Sequence, residues 1–151
     1  MYTVFIILAL VIIAILSGYA INLLLKVKQQ NQAAIQAKQA QEKAAQERVN
    51  KLLDNIRYIA QAMLEERCEI SEGVIRIAKL FDILGLTEQV TPDYPSLFEH
   101  YNVIKTHPIK EQRKSLPKQQ RMQLDYQRMR SESKLTVAIL DEAKHLTQYQ
   151  G

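Results

Sequence analysis

Apolar residues divide the chain into a continuous block, a polar stretch and a patterned remainder. From Tyr2 to Leu25 no side chain is charged, and Val4–Leu16 is an almost unbroken run of Val, Ile, Leu, Ala and Phe. As a helix, Val4 to Leu25 would extend ~33 Å at ~1.5 Å per residue, enough to cross a hydrocarbon core of ~30 Å. A soluble helix this uniformly apolar would need burial on every side. Residues 1–25 are therefore read as a transmembrane anchor. A cleaved signal peptide is the rival reading, since Gly18-Tyr19-Ala20 offers the small residues a signal peptidase prefers. Against it, no basic residue precedes the run, which continues through Ile21 to Leu25.

Residues 26–44 follow as a stalk. Gln29–Gln46 is rich in Gln, Ala and Lys, all good helix formers, and neither glycine nor proline occurs between Gly18 and Gly73. Such a stretch is marginal as an isolated helix. Continuation from the already helical anchor favours one helix from Thr3 to about Arg67. Near Ala45 the pattern changes: Ala45, Val49, Leu52, Ile56, Ile59 and Met63 recur in steps of four and three, an apolar heptad seam. A two-stranded coiled coil and a helix packed in its own domain both leave this trace. Leu53, Ala60 and Leu64 widen the face and favour packing within a domain of residues 45–151.

Beyond the stalk the pattern predicts further helices. Cys68-Glu69-Ile70-Ser71 interrupts the run, with Ser71 a natural N-cap. Val74, Ile77, Ala78, Phe81 and Leu84 form one face, and Gly85 suits the position after the last turn. Pro92 and Pro95 mark a loop, and Pro95 fits the first turn of a helix burying Leu97, Tyr101 and Ile104, which ends before His107-Pro108. A helical turn over Ile109–Lys114 follows, then Ser115-Leu116-Pro117 opens a last helix to about Leu146. No strand-like alternation of useful length occurs. The expected fold class is all-α: an N-terminal transmembrane helix, a helical stalk and a small helical bundle.

Charge adds orientation. Lys26 and Lys28 directly follow the span, and no Lys or Arg precedes it. The positive-inside rule then puts the N-terminus outside and the domain in the cytoplasm. A single cysteine agrees with a reducing compartment. Within the domain, Leu52–Ile104 carries nine acids against four bases, and Lys105–Arg130 eight bases against two acids. The eight are Lys105, Lys110, Arg113, Lys114, Lys118, Arg121, Arg128 and Arg130. Such a segment could bind anionic lipid, dock on the acidic middle of its own bundle, or be solvated. Nucleic acid is disfavoured, because Tyr126 is its only aromatic side chain available for stacking. In the span, Ala14, Gly18 and Asn22 share a face at four-residue spacing, a small-xxx-small arrangement that permits close helix–helix contact.

Two stretches, Cys68-Glu69-Ile70-Ser71-Glu72-Gly73-Val74-Ile75-Arg76 and Leu116-Pro117-Lys118-Gln119-Gln120-Arg121-Met122-Gln123-Leu124-Asp125, together with the anchor and the Gln/Ala-rich stalk, resemble an uncharacterised family of bacterial single-span membrane proteins, a domain of unknown function. The resemblance implies a bacterial inner-membrane location and carries across no activity and no catalytic residue.

The inventory for catalysis is thin. Cys68 lies beside Glu66 and Glu69, which oppose thiolate formation. His100, His107 and His145 show no metal-ligand spacing, and phosphate loops, HExxH, GxSxG and CxxC motifs are missing. Glu65-Glu66 and Asp141-Glu142 are adjacent on helices, where successive side chains point apart, so they are read as solvated faces. The expectation is a membrane-tethered interaction or scaffold module, not an enzyme, with no cofactor, metal or small-molecule substrate. Its partners would be the lipid bilayer and another protein or a second copy. The alternatives are an anionic-lipid module working through residues 105–130 and an enzyme with an unrecognised site.

Overall fold

The computed structural model describes residues 2–108 and 110–151. Its helices are α1 (Tyr2–Leu64), α2 (Ile70–Leu84), α3 (Thr87–Val90), α4 (Pro95–Ile104), α5 (Lys110–Lys114) and α6 (Lys118–Leu146). The fold is all-α, with no strand among the described residues. The chain divides into two compact units, Met1–Glu47 and Arg48–Gly151.

The first unit is helical throughout its described length, and every side chain described in it is exposed. Among the described residues, α1 is the one helix long and apolar enough to cross a membrane. Ser17, within the uncharged segment, donates its hydroxyl to the carbonyl of Ile13 at 2.7 Å and so needs no water.

The second unit is a bundle in which α4 packs against both α2 and α6. The end of α1 contributes Leu53, Ile56, Ala60 and Met63 to its core, spaced three, four and three residues apart. From α2 come Val74, Ile77, Ala78 and Phe81, from α4 Leu97, Phe98 and Ile104, and from α6 Leu135, Ile139, Ala143 and Leu146. Phe81 is the hub of an aromatic group, with ring centroids 6.2 Å from Tyr94 and 5.4 Å, edge-on, from Tyr149. Of the expected seam, Ile56 and Met63 are buried, Leu52 and Ile59 half-buried, and Ala45 and Val49 exposed. The buried face is turned toward Leu53 and Ala60, where the seam was expected to be merely widened.

Two helix ends use the same device. At Gly85 (φ 70°) the chain turns left-handed, Gly85 N–H bonding to Asp82 O and Leu86 N–H to Phe81 O. This Schellman pattern satisfies the last carbonyls. The end of α1 repeats it at Glu66 (φ 56°), with Glu66 N–H to Met63 O and Arg67 N–H to Ala62 O. The helix therefore stops at Leu64, short of the expected Arg67, although a glutamate in this conformation is strained. Arg67 fastens the turn, bonding to Glu65 at 2.5 Å with its guanidinium 5.8 Å from the Tyr58 ring centroid.

Ser71 is not an N-cap. Glu69 holds that place without a side-chain bond, and α2 begins at Ile70. The Ser71 hydroxyl is instead committed to the buried His100 on α4 and the half-buried Glu132 on α6. Between α2 and α4, the four-residue α3 had no counterpart in the sequence pattern. Tyr101, expected in the core, is half-buried, and Ile109 lies outside the described residues.

Candidate functional site

The N-terminus of α4 shows how the bundle is pinned. Tyr94 caps it with no side-chain bond, and Pro95 occupies the first turn. The exposed amides are met from α6: Glu142 accepts from Ser96 N–H at 2.8 Å and from Leu97 N–H at 2.9 Å. A carboxylate on a helix N-terminus is favoured by the dipole and by charge-assisted bonding. Glu142 is thus half-buried and structural, which corrects its reading as a solvated face, whereas Asp141 beside it is exposed and pairs with Lys144.

Pinned in this way, α4 sets His100 among partners from α2 and α6. Ser71 Oγ–H donates to Glu132 at 2.6 Å, Ser71 Oγ lies 2.9 Å from His100 Nε2, and His100 Nδ1 lies 2.8 Å from Ser131 Oγ. Burial holds His100 below the ordinary histidine range, opposed by the charge of Glu132. With the ring neutral and the Ser71 O–H directed at Glu132, His100 donates through Nε2–H and accepts at Nδ1 from Ser131. That polarity is the reverse of nucleophile activation, in which the imidazole accepts the serine proton.

A cleft of about 480 Å³ opens among α2, α4, α5 and α6. Ile75, Tyr101, Ile104 and Pro108 supply apolar wall. Lys79, Lys105, Arg113 and Arg128 line it as cations, with Asp125 the lining carboxylate and His107 beside them. Arg113 Nη2 contacts both oxygens of Asp125, at 2.8 and 2.6 Å. This bond to Arg113 draws the Asp125 carboxyl below its usual range. Burial lowers the His107 pKa, and Arg113 and Arg128 push it further down against the pull of Asp125.

Three of the eight expected basic residues, Lys105, Arg113 and Arg128, meet here, joined by Lys79 from α2. Lys114 points away and pairs with Glu111, and Lys118 and Arg130 are exposed. Arg121 is half-buried on α6, and the side chain of Lys110 lies outside the described residues. Among the described residues, the acidic middle makes its ion pairs elsewhere. Its acids Asp54, Glu65 and Glu72 pair with their near neighbours Arg57, Arg67 and Arg76. Among the described residues, none of the eight bases forms an ion pair with an acid of the middle stretch; Arg113 pairs with Asp125, Lys114 with Glu111 and Arg128 with Glu132. Ala14, Gly18 and Asn22 are exposed along the first unit, and a Cβ on Gly18 would meet nothing within 4 Å.

Cys68 is half-buried, its thiol 3.6 Å from Glu69 O, and burial followed by the charge of Glu72 raises its pKa. Among the described residues no group of His, Cys, Asp and Glu could hold a metal ion. Sequence reasoning named neither Ser131, Glu132 nor Lys79 as part of a site. Their partners lie 29 or more residues away in the chain for Ser71, His100 and Ser131.

Fold and site define an all-α protein with one potential membrane-spanning helix, a separate helical domain and a basic cleft. The chain belongs to the family described as "Protein of unknown function (DUF2489)", whose profile matches residues 13–146. It is also 34% identical over 142 residues to an uncharacterized protein of Haemophilus influenzae, covering 94% of this chain and 90% of the relative. No solved structure matches it significantly.

Proposed function

We propose that the protein is anchored in the bacterial inner membrane through Val4–Leu25, with its N-terminus outside, and that its cytoplasmic helical domain is a docking module for another protein and not an enzyme. One observation carries the reading. The apolar segment leaves its described side chains exposed, while the core of residues 48–151 is assembled entirely from residues 53 onward. Exposed apolar side chains at this density need a non-aqueous environment, and a bilayer supplies one. The Lys26 and Lys28 flank supports the orientation. The outer face of α6 supports docking: Met122, Tyr126 and Met129, one turn apart, are all exposed. The hydrogen-bond polarity around Ser71 and His100 argues against a nucleophilic serine.

The experiment is a pair of C-terminal fusions. Alkaline phosphatase should be inactive and a fluorescent protein bright; the reverse pair overturns the orientation. Recovery of the chain in the alkaline-carbonate supernatant overturns the span. Cross-linking in native membranes should give a discrete adduct, to another protein or to a second copy, that Tyr126→Glu removes. Retention of the adduct in that variant overturns the docking face.

A further inference from the structure

The basic cleft holds more cation than its own acids answer. Four bases face one lining carboxylate, leaving a net charge of +3 with His107 neutral. Arg113 is engaged by Asp125, and Arg128 reaches Glu132 only at 3.4 Å. The Lys105 ammonium bonds to the neutral amide oxygen of Asn102 at 2.8 Å. Lys79 has no ion pair among the described residues.

These cations come from α2, the end of α4, α5 and α6, so they converge from several sides instead of lining one helix face. Beside them, Ile75, Tyr101 and Ile104 offer an apolar wall. A complementary ligand carries two negative charges on a compact head and an apolar body. A carboxylate supplies one charge, and a nucleic-acid phosphodiester likewise one per residue. A phosphate monoester approaches two at neutral pH and accepts several hydrogen bonds through its terminal oxygens.

We propose that this cleft binds a phosphate monoester, with the phosphate among Lys79, Lys105 and Arg128 and the organic group on Ile75, Tyr101 and Ile104. The inference stands apart from the docking reading, since it uses a different surface. The same head group could arrive on a soluble metabolite or on a phosphatidic-acid-type lipid.

The test uses the full chain in phosphatidylcholine nanodiscs, titrated with phenyl phosphate by calorimetry. Saturable binding at one site per chain is expected. Lys79→Glu and Lys105→Glu, both at exposed positions, should each weaken it by at least about tenfold, the scale of a lost charge-assisted contact. Lys114→Glu and Lys118→Glu, outside the cleft, should change it by less than about twofold. Benzenesulfonate, with the same ring and one charge, should bind more weakly than phenyl phosphate. Nanodiscs doped with phosphatidic acid separate the sources: competition with phenyl phosphate assigns the site to lipid, and unaltered binding assigns it to a soluble ester. Failure to saturate at millimolar phenyl phosphate overturns the proposal. Equal weakening by the cleft and non-cleft variants also overturns it, because diffuse attraction to a basic surface would behave that way.

Discussion

Glu142 and its neighbour Asp141 make a direct experiment on what holds α4 in place. Glu142→Ala removes the acceptor of two amides at the first turn of a ten-residue helix that has no side-chain cap of its own. Leu97, whose amide is one of them, is fully buried, while Ser96 is half-buried. Each hydrogen bond to a charged group contributes ~1.5–3 kcal/mol, and the charge on the helix terminus a further ~0.3–1 kcal/mol. Water can reach Ser96 and recover part of that loss. The expected cost is therefore ~2–4 kcal/mol, a large share of a typical ~5–15 kcal/mol domain stability. Glu142→Gln keeps one oxygen acceptor and loses the charge, and should cost about half as much. Asp141→Ala should stay within ~0.5 kcal/mol, since its partner Lys144 is exposed. Urea unfolding of the full chain in detergent, followed by near-ultraviolet circular dichroism, reads packing of the Phe81–Tyr94–Tyr149 group. If Glu142→Ala and Asp141→Ala unfold alike, solvent satisfies the α4 amides and the pinning argument fails.

Four further outcomes follow from the packing. A fragment from Ala45 to Gly151 should be soluble, helical and cooperative in melting, and Ile56→Asp should abolish that cooperativity, because Ile56 is fully buried and an unpaired charge there costs several kcal/mol; an unchanged melt would place that side chain in solvent. Glu66→Gly should raise stability by ~0.5–1 kcal/mol by relieving a left-handed glutamate, and a loss in the urea midpoint would contradict it. Gly73→Val should destabilise by ~1–3 kcal/mol, since even a Cβ there would overlap the buried Met63 side chain; a wild-type midpoint would show that Met63 moves freely. His100 and His107 both have folded-state pKa values below the unfolded value, so the unfolded chain binds more protons and stability falls with acid. It should be complete above ~6.5 and decline as pH drops from there toward the depressed folded values, more shallowly in His100→Gln, and a flat urea midpoint between neutrality and mild acid would refute the buried neutral ring.

The elements legible in the sequence are those specified locally. The face Val74–Ile77–Ala78–Phe81, the left-handed Gly85 and the Pro95 start each depend on residues within a few positions of one another. The Gln/Ala-rich stretch proved helical for the same reason. The misread features depend on partners distant in the chain. Ser71 has the chemistry of a cap, but His100 and Glu132 claim it only after α4 and α6 have packed. Nothing in Asp141-Glu142 distinguishes the solvated carboxylate from the one that meets α4, which lies 45 residues earlier. A glutamate is also a poor marker for a left-handed turn, so the stop at Leu64 carried no glycine signal. Periodicity identifies an apolar face but not how far along a helix its partners extend, hence the exposure of Ala45 and Val49. For the cleft, a run of bases was visible, yet which of them converge depends on the placement of α2, and Lys79 lay outside the run.

The core joins segments made early and late in synthesis. Leu53 and Ile56 share it with Ile139 and Leu146, and Arg57 Nε donates to the carbonyl of Tyr149 at 2.7 Å. On a translating ribosome, the apolar face of α1 emerges well before the α6 residues that help to cover it. Folding of the domain is consequently late, and for that interval the nascent chain displays an open hydrophobic surface on which chaperones, or a neighbouring nascent chain, can act.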